Sequence, residues 1–116
     1  MEPKQILNAL EDHLGAENGI SAEKLAMKIT GEPTPNPGAE RKLRSHIADL
    51  RMHGVRICGH PSTGYYLAKT AEDIEHTCEY LHTRAMTSLV QISRLRNIAL
   101  PELLGQLKLA AEVTNA

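Results

Sequence analysis

Three prolines at alternate positions, Pro33, Pro35 and Pro37, lie between Gly31 and Gly38. Each lacks a backbone donor and fixes its own φ, so no helix or strand ladder can run through this stretch. Whatever precedes it must finish by about residue 30, and whatever follows must start afresh. Upstream, Ile6, Leu7, Leu10 and Leu14 recur at helical spacing behind Pro3, which predicts a first helix from about Pro3 to Leu14. Gly15, able to take positive φ, is expected to stop it. Ser21 is a good N-cap with Glu23 in the first turn. A short second helix is therefore expected over residues 22–30, with Leu25 and Ile29 inward. A third helix is expected from about Ala39 to His53, striped by Leu43, Ile47 and Leu50 and ended by Gly54.

Beyond Gly54 the pattern changes. Val55-Arg56-Ile57-Cys58 partly alternates apolar and polar, Gly59 to Gly64 turns the chain, and Tyr65 to Ala68 returns it. Residues 55–68 read as a two-stranded hairpin, with one of Tyr65 and Tyr66 packed and the other exposed. Thr70 and Asp73 resemble a capping box and open a long helix from Ala71 to about Asn97. A break before Pro101 precedes a last helix over about residues 102–112. The expected fold is mainly α with a small β-hairpin, divided into a domain of residues 1–69 and a helical extension of residues 70–116. The chain holds three Tyr and neither Phe nor Trp, so its core must come from Leu, Ile, Ala and Met. That favours helices and leaves few platforms for stacking unpaired bases. No apolar run approaches the roughly 18 residues that span a bilayer, and no basic-then-apolar leader opens the sequence. Two cysteines are too few for a disulfide scaffold. The expectation is a cytoplasmic protein without membrane contact.

Charge is segregated under a formal net of −1. Residues 1–38 carry net −3, residues 39–69 net +4 and residues 70–116 net −2. The middle third is where an anion would go. With Leu43, Ile47 and Leu50 facing inward, Glu40, Arg41, Arg44 and Ser45 are expected on the outer, N-terminal part of the third helix. Arg is shaped to take guanine O6 and N7 together, and Lys42, Arg51 and Arg56 suit phosphate. The bland reading of such a run is a solvated charged face.

The order helix, short strand, helix, helix, hairpin resembles a winged helix-turn-helix domain. Ser21-Ala22-Glu23-Lys24-Leu25-Ala26 looks like the opening of a helix-turn-helix. Leu43 through Val55 is similar to a recognition helix and its exit into the wing. Arg56-Ile57-Cys58 through Gly64-Tyr65-Tyr66-Leu67-Ala68 looks like a wing ending in a Gly-Tyr pattern. Over about residues 5–70 the chain is most similar to small winged-helix proteins of phages and prophages and to the DNA-binding domain of biotin repressors. The resemblance implies sequence-selective binding of double-stranded DNA, in transcription regulation or replication, with no enzyme activity in the module. A long helix after the wing also fits the phage type. The second connection departs from it, spanning about eight residues against the 3–4 of a tight helix-turn-helix. The wing tip, His60 to Thr63, carries no Arg or Lys. The rival reading is a protein-interaction module whose basic helix docks an acidic replisome or regulatory partner.

Other chemistries have less behind them. Cys58-Gly59-His60, His76, Cys78 and His82 could supply four zinc ligands, yet their spacing fits no standard module, and Cys78 continues the apolar stripe of Ile74 and Leu81. No nucleophile elbow, phosphate loop or metalloprotease motif occurs, so no enzyme, metal, cofactor or small-molecule ligand is expected. Ile74, Cys78, Leu81, Ala85, Leu89, Ile92 and Leu95 form a near-heptad seam, widened by Met86 and Val90. Leu100, Leu103, Leu104, Leu107 and Leu109 add a second apolar surface. A homodimer through residues 71–112, parallel or antiparallel, is expected; the alternative is a monomer whose last helix covers the long one.

Overall fold

The structure is a computed structural model that describes the backbone of residues 1–115 and the side chains of residues 1–108; Leu109 of the expected second apolar surface lies outside the described side chains. The elements are α1 (Pro3–Leu10), α2 (Ala22–Thr30), α3 (Pro37–Met52), β1 (Ile57–His60), β2 (Gly64–Leu67), α4 (Ala71–Arg96) and α5 (Leu100–Asn115), with a 3-10 turn at Ala16–Asn18. The chain is thus mainly helical with one antiparallel hairpin and one long helix. It divides into two compact units, Met1–Cys78 and Glu79–Ala116, a division that falls inside α4.

In the first unit, Ile6, Leu10, Leu25, Leu43, Ile47 and Ile57 form the core where α1, α2 and α3 meet, with Ala9 and Ala26 between them. Every large member of this cluster is aliphatic, with Tyr65 packed against it and Tyr66 buried as well. Ser21 Oγ accepts from Lys24 N at 3.2 Å, and Gly31 N–H closes α2 on the Met27 carbonyl. Both α2 boundaries fall where the sequence marks them. The other two helices differ from expectation. α1 ends at Leu10, not Leu14, because the next backbone groups are taken by a distant partner: Leu67 N–H donates to the His13 carbonyl at 2.8 Å, and Gly15 N–H to the Leu67 carbonyl at 2.9 Å. Lys28 Nζ, from α2, donates to the Ala9 carbonyl at 2.8 Å and so caps the shortened helix. Leu14, outside the helix, is 45% exposed. α3 begins two residues earlier than Ala39. Asn36 Oδ1 accepts from Gly38 and Ala39 N–H, and Pro37 occupies the first helical turn, where its missing donor costs nothing. The α2–α3 connection therefore shortens to residues 31–36.

The hairpin pairs Ile57 with Leu67, Cys58 with Tyr66, Gly59 with Tyr65 and His60 with Gly64. Neither edge is left bare. Along β2, Ile20 and Tyr65 exchange backbone hydrogen bonds of 2.9 and 2.7 Å, and Leu14 bridges Leu67. The close approach of Ile20 needs Gly64, whose φ is +77° and whose missing Cβ would strike the Ile20 carbonyl. Along β1, Arg51 Nε donates to the Ile57 carbonyl at 2.7 Å, and Gly59 N–H donates to Thr77 Oγ1 at 3.2 Å. One of the two tyrosines was expected to lie exposed, yet neither does: Tyr66 is buried, and Tyr65 is half-buried against the core.

α4 opens as expected, with Asp73 N–H donating to Thr70 Oγ1 and Thr70 N–H to Asp73 Oδ2. Thr77 is its buried residue next to the hairpin; Cys78, read from its spacing as part of an apolar stripe, is exposed. In the second unit, α4 stops at Asn97, which takes φ +54°, a conformation Asn tolerates better than most residues. Pro101 then lies in the first turn of α5. Leu103 and Ser93 are buried, while Leu95 is 86% exposed. No helix is long and apolar enough to cross a membrane among the described residues.

Candidate nucleic-acid interface

α3 turns one face to the core through fully buried Leu43 and Ile47, with Leu50 half-buried beside them. At about 100° per residue the opposite face is the stripe Arg41, Ser45, Ala48 and Met52. All four are exposed, and Met52 is 84% exposed. Arg44 flanks this stripe on one side and Lys42 on the other, both exposed. The first half of α3 thus gathers Arg41, Lys42, Arg44 and Ser45 on its solvent side. Arg41 and Lys42 make no ion pair among the described residues. Arg44 Nη2 lies 3.8 Å from Glu40 Oε1. Glu40 is half-buried, but Arg44 is exposed and the i,i+4 contact is long, so the pair contributes on the order of 0.5 kcal/mol and leaves Arg44 able to turn to a stronger anion.

The remaining two candidates sit apart from this group. Arg51 is half-buried on the second half of α3, its Nε committed to β1 through the Ile57 carbonyl. Arg56 is exposed just before β1, and its carbonyl accepts from Ala68 N–H at 3.1 Å. At the hairpin tip Pro61 and Ser62 are exposed, and His60 Nδ1 lies 2.7 Å from Ser62 Oγ. The tip offers polar atoms but neither Arg nor Lys. Ala48 and Met52 are absent from the sequence-predicted set, since composition alone does not say which apolar residues of a helix stay exposed. The 41–45–48–52 spacing was the available signal.

Behind the hairpin, burial pushes the Cys58 thiol above its ordinary pKa, opposed in part by a hydrogen bond with Thr77. Burial likewise raises Tyr66. A thiol held protonated in this way is a poor nucleophile and a poor metal ligand. No group of three His, Cys, Asp or Glu side chains is arranged to hold a metal ion among the described residues.

No known protein family, curated protein or solved structure matches this chain. Its chemistry must therefore be read from the side chains alone. The exposed half of α3 offers planar guanidinium forks, an ammonium and a hydroxyl beside two apolar side chains. Such a surface can hold a polyanion and at the same time probe a patterned edge.

Proposed function

We propose that the first unit is a winged helix-turn-helix module that binds double-stranded DNA through α3. It would serve as a transcriptional regulator or replication accessory protein of a phage or other mobile element, and not as an enzyme. The observation that carries the reading is the exposure of Arg41, Lys42, Arg44 and Ser45 on the N-terminal half of α3, opposite the core. In a docked helix-turn-helix this half of the recognition helix meets base edges in the major groove. Arg41 and Arg44 suit guanine, and Ala48 and Met52 suit the thymine methyl. Lys42 and Arg56 suit phosphate, and Arg51 reaches it only with whatever donors β1 leaves free. The order of α1, α2, α3 and the hairpin, together with the sequence resemblance, supports the same reading.

Titrating the full chain against duplex DNA by fluorescence anisotropy at two salt concentrations tests it. Phosphate contacts release counterions, so affinity should fall steeply between 50 and 200 mM salt, with a slope of about −0.9 per phosphate contact. Arg44→Ala should cost about 1–3 kcal/mol and relax preference at one base pair, whereas Lys42→Ala should weaken all sequences alike. Unchanged affinity in a folded Arg41→Ala/Arg44→Ala protein would remove the reading. In that case the surface would fit an acidic protein partner instead.

A further inference from the structure

Along α4 every acid, Glu72, Asp73, Glu75 and Glu79, precedes every base, Arg84, Arg94 and Arg96. Attraction to the helix dipole accounts for acids in the first turn, but it does not reach Glu79 two turns further in. In the second unit, Glu79, Thr83, Met86, Val90 and Arg94 are spaced four, three, four and four residues apart, so they share one face. The middle of that face is a shallow apolar groove, lined by His82, Thr83, Met86, Thr87, Val90 and Gln91. Met86 and Val90 are half-buried, whereas Glu79 and Arg94 at the two ends are exposed and make no ion pair among the described residues. Half-buried Leu89 carries the apolar surface round one flank toward exposed Ala85.

A groove with an acid at one end and a base at the other is complementary to its own two-fold copy. We infer that a second copy of this chain packs antiparallel on this face of α4, crossing near Thr87. At about 1.5 Å per residue, Glu79 and Arg94 lie roughly 22 Å apart, so a crossing midway between them sets Glu79 against the partner's Arg94. The two-fold axis repeats the pair, giving two charge pairs around a dry centre of Met86 and Val90. A parallel pair sets Glu79 on the partner's Glu79 and Arg94 on the partner's Arg94, a repulsion at both ends. The inference uses no residue of α3, so it stands or falls apart from the DNA reading.

Sedimentation equilibrium of the full chain, without DNA, tests it. The parent should have twice the 12.8 kDa mass of one chain. Glu79→Arg and Arg94→Glu, each made singly, should weaken the dimer at least about tenfold, since every end then meets its like. Both reversals in one chain should restore the affinity to within about threefold of the parent, because the pairs reform with signs exchanged. Both sites are exposed, so circular dichroism should report an unchanged fold in each variant. A monomer at about 100 µM, any mass other than twice the monomer's, unaffected single reversals, or a double reversal no better than the singles would each overturn the antiparallel pairing.

Discussion

A single hydroxyl organises the back of the hairpin. Thr77 Oγ1 accepts the Gly59 N–H at 3.2 Å and lies beside Cys58 and Tyr66, whose ionisation it favours against the effect of burial. Thr77→Val keeps the shape but leaves Gly59 N–H unpaired and buried, and should cost about 1–3 kcal/mol in a urea titration. Thiol chemistry should divide cleanly: iodoacetamide should modify exposed Cys78 at once and Cys58 only on unfolding. Burial raises the Cys58 thiol, so the folded state holds its proton at a pH where the unfolded chain has released it. Stability should therefore be intact below the ordinary thiol range and fall as pH rises through and above it. Replacing Cys58 with Ala should flatten part of that alkaline loss in thermal melts at pH 7 to 10.5; an unchanged slope would discount the thiol. Nothing in the spacing of α4 announced Thr77 over Cys78 as the inward residue. The choice is made by an unpaired strand N–H that needs an acceptor, and that need lies 18 residues away.

At the scale of elements, boundaries were legible where local chemistry decides them. Ser21 and Gly31 bracket α2 because a cap oxygen and a left-handed glycine act on their own helix. Pro37 misled as a breaker, since a proline one residue past an Asn cap is a helix start. Asn36→Ala should cost about 0.5–2 kcal/mol, because it strips the acceptor from Gly38 and Ala39 N–H. The end of α1 was not legible at all: Leu67, far along the chain, takes the backbone of His13 and Gly15. Gly64→Ala should be worse than a usual surface change, by about 2 kcal/mol or more, because positive φ and the Ile20 carbonyl both oppose a Cβ. A melting temperature equal to the parent's would show that the Ile20 pairing is dispensable. On α3 the charges of the candidate site were plain in the sequence. Its Ala48 and Met52 were not, for exposure of an apolar side chain depends on what the rest of the fold leaves uncovered.

At the scale of the whole molecule, the boundary inside α4 has a measurable effect. A fragment of residues 1–78 keeps Thr77 and the whole of the first unit, whereas one of residues 1–69 loses the acceptor for Gly59. The longer fragment should be more stable by about 2 kcal/mol or more in denaturant. Equal stability would mean that the first turns of α4 contribute nothing to the hairpin. The splint along β2 also has a bearing on synthesis. Residues 13–20, which cover that strand's outer edge, leave the ribosome roughly 50 residues before the strand itself. An uncovered strand edge is a template for pairing with a neighbouring chain. Because the cover emerges first, β2 meets its own chain before it can meet another, and a nascent protein can be crowded on a polysome without cross-pairing there.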